Sequence, residues 1–112
     1  MVEIAWEDFE KVDVRVGRVV EAQPFPEARK PSIKLTVDFG TGVGTRKSSA
    51  QLTAHYDPQG LLGRQVVAVV NFPPKRIAGF ESEVLVLGVP DDDGEVVLLR
   101  PDHEVPVGGR MF

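Results

Sequence analysis

The chain has 112 residues, no cysteine, 13 Lys+Arg against 17 Asp+Glu, and a formal net charge of -4. This length supports one domain, 1–112, with a single core. The lack of cysteine excludes a disulfide framework, a thiolate nucleophile and a cysteine zinc site.

In chain order, Trp6-Glu7-Asp8-Phe9-Glu10 reads as a short helix, with Ile4, Trp6 and Phe9 as apolar groups. The acidic start, Met1 to Asp8, lacks the basic region and apolar run of a signal peptide. No apolar run approaches the roughly 20 residues that span a bilayer. The expectation is a cytoplasmic protein without membrane insertion. Lys11 to Val16 alternates polar and apolar residues, and Ser32 to Phe39 does so again. Each predicts a strand with one face in a core. Arg46 to Leu52 is a weaker strand candidate. Asp57 to Gly63 has room for one helical turn. Gln65 to Asn71 is a short β-branched apolar run, which predicts a buried strand. Pro73-Pro74 and Gly79 bound a loop. Glu83 to Val89 and Glu95 to Leu99 pair around Pro90-Asp91-Asp92-Asp93-Gly94, a hairpin spacer. Five or six short strands with little helix predict an all-β chain. The oligonucleotide/oligosaccharide-binding (OB) fold, a small Greek-key barrel, leads the candidates.

Catalysis finds little support. His55 and His103 are far apart and have no carboxylate or nucleophile at a motif spacing. Ser48-Ser49 lacks the strand-turn-helix setting of a nucleophile elbow. Asp91-Asp92-Asp93 lacks the alternating ligands and distal Glu of a calcium loop, and reads as a solvated turn. Gly40 to Gly44 precedes a basic strand, not the helix that a phosphate loop needs. No catalytic residue, metal site or cofactor is expected.

The charge is unevenly spread. Residues 1–28 hold three bases and seven acids, residues 29–76 eight bases and two acids, and residues 77–112 two bases and eight acids. A basic centre between acidic flanks points to a partner surface. In an OB barrel the face of strands 2 and 3 is the usual ligand surface. Lys30 and Lys34 fall near the second strand, Arg46 and Lys47 at the third, and Lys75 and Arg76 after the fourth. Such residues neutralise phosphates, with affinity that falls as salt rises. Ser48, Ser49, Gln51 and Asn71 add neutral hydrogen-bonding groups. Phe25, Phe72 and Phe80 are candidates to stack on a base, to grip an apolar peptide side chain, or to cap the barrel ends.

Several segments then carry a resemblance. They are Phe9 to Gly17, Phe25 to Pro31, Lys34-Leu35, Asp38-Phe39-Gly40, Ser48 to Gln51, Val70 to Pro74 and Ser82 to Leu85. Their order resembles the CsaA-type branch of the tRNA-binding-domain family. Phe25 before Pro26 and the run Ser48-Ser49-Ala50-Gln51 match that branch rather than the wider family. The resemblance implies an OB barrel whose N- and C-terminal extensions build a homodimer. It implies tRNA binding for the wider family. For the branch it implies a chaperone that holds unfolded or export-competent preprotein segments in protein secretion, and the lack of a nucleotide motif in the sequence makes ATP independence the expectation. By position it implies a binding face of Lys34, Ser48, Ser49, Gln51, Asn71, Lys75, Arg76 and Ser82, to which the residue reading adds Phe25, Lys30 and Phe72. Apolar residues outside the strands, Ile4, Trp6, Phe9, Met111 and Phe112, are the expected dimer interface. A tRNA-binding role in trans through the same face is the alternative.

Overall fold

The computed structural model describes residues 1–112. The helices are α1 (Trp6–Glu10) and α2 (Pro58–Leu61). The strands are β1 (Val14–Pro24), β2 (Ile33–Asp38), β3 (Thr45–Ala50), β4 (Gln65–Val69), β5 (Lys75–Ile77), β6 (Phe80–Ser82), β7 (Leu85–Val86), β8 (Gly88–Pro90) and β9 (Val96–Leu98). Five of them form an antiparallel sheet in the order β3-β2-β1-β4-β7, while β5-β6 and β8-β9 are separate hairpins.

The long strand β1 serves two partners. Its first half pairs with β4 and its second half with β2, and Arg18 lies opposite both Gln65 and Asp38. The β1–β2 register shifts between Val19 and Glu21. A bulge of this kind bends a strand and lets a sheet curl. Gly17 lies on the inside of the curl, where a Cβ would come within 2.4 Å of Val37 Cγ1. Only glycine lets the two strands close there.

The alternation of β2 sends Ile33, Leu35 and Val37 inward, with Phe39 beyond them. They meet Val19, Leu52, Leu61, Val66, Ala68, Val84 and Leu98 in one core. Helix α2 plugs the barrel with Leu61, which is fully buried, and Asp57 caps it by accepting from the Gly60 amide.

The curled sheet closes without a full ladder between β3 and β7. The Glu83 amide donates to the Lys47 carbonyl at 2.7 Å, and the Lys47 amide donates to Glu83 Oε1. Ser48 Oγ donates to the Val84 carbonyl at 3.0 Å. The result is a nearly closed five-stranded OB-type barrel.

Three predicted elements differ. The first strand begins at Val14 rather than Lys11, because α1 and its exit turn occupy the preceding residues. The loop predicted between Pro73-Pro74 and Gly79 contains β5 and the turn of the β5-β6 hairpin. The predicted strand Glu83 to Val89 is broken. Val86 pairs with Ala68 of β4, whereas Gly88 has moved to pair with Leu98 of β9.

The chain ends meet on one side. Met111 donates its amide to the Val14 carbonyl, and Arg110 Nη2 donates to the Glu10 carbonyl. Arg15 bonds both Asp13 and the Gly108 carbonyl. The Arg15 guanidinium, by this hydrogen bond, holds the Asp13 carboxyl below the usual carboxylate range, and the charge of Arg110 adds to the effect.

Candidate functional site

Two grooves lie beside the β5-β6 hairpin. The larger, about 600 Å³, runs between the end of β3 and the hairpin. Leu52, Phe72, Ile77, Val84, Val86 and Val96 give it an apolar floor and wall, while Ser49, Gln51, Lys75, Ser82 and Glu83 supply polar groups. The smaller, about 300 Å³, is lined by Glu21, Gln23, Lys34, Leu35, Thr36, Lys47 and Phe80.

The register explains this division. Lys34 lies opposite Ser49, and Thr36 opposite Lys47. Residues facing each other across an antiparallel pair share a face. Lys34, Thr36, Lys47 and Ser49 therefore stand on the outer face of β2 and β3, with Leu35 and Ser48 on the inner one. In the hairpin, Lys75 is opposite Ser82 and Ile77 opposite Phe80. Lys75, Ile77 and Ser82 line the apolar groove, and Phe80 lines the lysine groove.

The larger groove brings together Ser49, Gln51, Phe72, Lys75 and Ser82 among the expected site residues. Ser49 and Ser82 are joined by a 3.0 Å hydrogen bond from the Ser49 amide to Ser82 Oγ. Phe72 is 53% exposed, so its ring is open to a partner. Lys34 lies in the other groove, its ammonium 4.6 Å from the Phe25 ring centre and 5.3 Å from that of Phe80. These are cation–π distances.

Other expected residues stand elsewhere. Phe25 is 3% exposed, packed edge-on against Phe80 and covered by Lys34, so it caps the barrel. Ser48 is 1% exposed, and its hydroxyl is spent on Val84. Asn71 accepts the Asp13 amide on Oδ1 and donates to the Lys11 carbonyl through Nδ2. That clamps the exit of α1 to the end of β4. Arg76 pairs with Glu81 at 3.6 Å, both well exposed, and lines neither groove. Lys30 is exposed in the loop between β1 and β2.

Lys47 and Phe80, which the sequence offers as a basic and an aromatic candidate but which fall outside the face that the resemblance implies, both line the lysine groove. Lys47 was legible from alternation, since it shares the outer-face parity of Ser49. The apolar lining by Ile77 and Val96 was not legible, because it depends on where two short hairpins fold.

His55 Nε2 and Asp91 Oδ2 lie 2.6 Å apart, which the spacing of the sequence conceals. Asp91 Oδ1 also accepts the amides of Asp93 and Glu95. Asp91 thus organises its turn rather than merely solvating it. The hydrogen bond from His55 holds its carboxyl below the usual range, and the two amides act in the same direction.

The apolar ends form a separate patch. Trp6 and Phe9 have ring centres 5.3 Å apart and, with Val12, Met111 and Phe112, line a shallow depression. Ile4 is 72% exposed, Trp6 64% and Phe112 wholly so.

A curled OB barrel with an apolar groove, a lysine groove and exposed apolar ends defines a small binding domain. The profile of the family described as "Putative tRNA binding domain" matches residues 14–110. The chain belongs to this tRNA-binding-domain family, and its likeness within it is to CsaA-type members. It is 54% identical to the chaperone CsaA of Bacillus anthracis, with a TM-score of 0.92, covering 99% of this chain and 100% of that one. It is 48% identical to the CsaA chaperone protein of Picrophilus torridus, with a TM-score of 0.91, covering 98% and 100%. It is also 38% identical to methionine–tRNA ligase of Porphyromonas gingivalis over 109 residues, 97% of this chain but 16% of the ligase. The chain thus spans about a sixth of the length of the curated relatives that it matches. No helix is long and apolar enough to cross a membrane.

Proposed function

We propose that this chain is a non-enzymatic, ATP-independent chaperone that holds unfolded or export-competent polypeptide segments, acting in the cytoplasm in support of protein secretion. The observation that carries this reading is the groove of about 600 Å³ with a mostly apolar lining, flanked by Lys75 and Glu83. Its size falls within the range of ligand pockets, and its lining suits apolar side chains. Phe72 at its mouth is the aromatic anchor. Ser49, Gln51 and Ser82 supply hydrogen-bonding groups to a peptide backbone. The CsaA chaperones named above support the same reading.

The working unit is a homodimer joined through Ile4, Trp6, Phe9, Met111 and Phe112. Ile4, Trp6, Met111 and Phe112 remain exposed, and Phe9 half-buried, although the C-terminus already bonds to β1. A two-fold contact uses such a patch twice and places two grooves on one particle.

The second reading is tRNA binding in trans. Lys34 and Lys47 on one outer face, together with the family match, favour it. Here Lys30, Lys75 and Arg76 are outlying phosphate contacts.

The deciding experiment is competition between a labelled unfolded peptide and a labelled tRNA, read with Phe72→Ala and Lys34→Ala/Lys47→Ala proteins. Loss of peptide affinity in the first protein, with binding that persists at moderate salt, supports the chaperone reading. Collapse of peptide affinity on modest addition of salt overturns it.

A further inference from the structure

We infer that a third cleft, separate from the peptide groove and independent of the readings above, is a site for a phosphate monoester. It has a volume of about 410 Å³ and lies between the α2–β4 turn and the segment after β9. It shares no lining residue with the two grooves beside the β5-β6 hairpin. Leu62 is its one apolar residue, so it suits a polar ligand.

Arg64 and Arg100 both line this cleft, and neither has a carboxylate within 4.0 Å. The guanidinium of Arg64 is held 5.2 Å from the centre of the Tyr56 ring. Tyr56 is itself fixed, because its hydroxyl accepts the Leu98 amide at 2.9 Å. Arg64 Nε is buried and has no acceptor in the chain. Buried donors of that kind are rare, and with Nε covered it is the terminal Nη groups that Arg64 offers to a ligand. A cation immobilised on an aromatic face with its charge unmatched is preorganised for an anion.

Of the two carboxylates on the lining, Glu104 is held by a neighbouring arginine and Asp102 is exposed to water. Glu104 is held by Arg18 at 2.7 Å, and Arg18 in turn donates to the Gly63 carbonyl. Asp102 stands 3.4 Å from His103. Three guanidinium groups at the cleft, of Arg18, Arg64 and Arg100, outnumber the carboxylates of Asp102 and Glu104, and this excess of positive charge attracts the roughly -1.5 to -2 charge of a phosphate monoester at neutral pH. A guanidinium also presents the fork of donors that fits phosphate oxygens. Asp102 and Glu104 on the lining offer acceptors to the hydroxyl groups of a sugar phosphate.

The test is a titration of the full chain followed through the arginine Nε–Hε resonances. The probes are inorganic phosphate, ribose 5-phosphate, sodium chloride at matched ionic strength, and an oligonucleotide without terminal phosphates. Saturable shifts at Arg64 and Arg100 with both phosphates, absent with chloride, are the expected result. Arg100→Gln, at an exposed position, should weaken binding at least fivefold while leaving the fold intact. Arg64→Gln should abolish it. Linear shifts, equal shifts with chloride, or unchanged affinity in Arg100→Gln overturn the proposal. Saturation by the oligonucleotide alone overturns it too, since the cleft would then read RNA diesters rather than a monoester.

Discussion

The Ser49 amide donates to Ser82 Oγ at 3.0 Å, and this side-chain bond stands where a strand ladder would close the barrel. Just along β3, Ser48 faces inward and gives its hydroxyl to the Val84 carbonyl. One serine side chain from each strand thus closes the seam, Ser48 of β3 and Ser82 of β6. Removing Ser48 strands a carbonyl in a site with 1% exposure, whereas removing Ser82 frees an amide that water can reach. Leaving a buried polar group unpaired costs about 1–3 kcal/mol. Ser48→Ala should therefore lose about that much in urea unfolding, and Ser82→Ala less than about 1 kcal/mol. Equal losses would contradict the assigned faces.

Asn71 gives a second, sharper separation of structure from binding. Its Oδ1 accepts the Asp13 N–H at 3.0 Å and its Nδ2 donates to the Lys11 carbonyl at 2.7 Å, so both polar atoms are tied to the chain. Asn71→Asp keeps the acceptor and loses the donor. We expect it to destabilise the chain by about 1–2 kcal/mol and to loosen α1, seen as faster amide exchange at Phe9 to Val12. Peptide affinity per folded molecule should not change.

What the sequence made legible was periodic. The alternation Ile33-Leu35-Val37 placed β2, its inner face and, through the pairing, the outer position of Lys34. The same parity puts Ser49 outside and Ser48 inside, although adjacent serines look equivalent in the sequence. Non-periodic features stayed hidden. The strands β5 and β6 have three residues each, too few to show a period, and Pro73-Pro74 masks them. The change of partner at Gly88 depends on a close approach, where a Cβ would lie 2.5 Å from Val96 Cγ1. Net charge is another poor guide, because Arg76, Arg46 and Arg18 are each matched by a glutamate distant in sequence or across a hairpin.

The β5-β6 turn carries backbone strain. Ala78 has φ 47° and Gly79 φ 82°, the double left-handed turn that joins two-residue hairpins. For alanine this region costs about 1–2 kcal/mol, against which glycine loses about 0.5–1 kcal/mol in chain entropy. Ala78→Gly should therefore raise stability by up to about 1 kcal/mol in thermal or urea unfolding. A clear loss would mean that the turn adopts another geometry in solution.

Asp13 sets the acid response of the chain ends. Its carboxyl is hydrogen-bonded by Arg15 at 2.6 Å and lies 3.7 Å from Arg110, and its folded pKa is lowered from the usual 3.8. A lowered folded pKa adds stability that is present in full above the unfolded value and is lost as pH falls through the folded one. Stability at the junction of the two ends should hold through neutral pH and fall below about pH 4. Asp13→Asn should be less stable at pH 7 and show a smaller decline on acidification. Parallel curves for the two proteins would remove Asp13 from this role.

The two grooves differ in how salt should act on them, and this separates their ligands. Lys34 and Lys47 line one groove, whereas Leu52, Phe72 and Ile77 line the other. Each phosphate neutralised contributes roughly 0.7–0.9 to the negative slope of log affinity against log salt. Lys34→Ala/Lys47→Ala should flatten the slope for tRNA by about 1.5, with little change in peptide binding. Lys34 also covers Phe25 and Phe80, so losing it exposes the rings, and Lys47→Ala alone controls for that change. Phe72→Ala should act in the opposite sense, weakening the peptide about tenfold or more through lost apolar contact while leaving the tRNA slope unchanged. If both variants weaken both ligands equally, the hairpin does not divide the surface, and a single continuous site must replace the two.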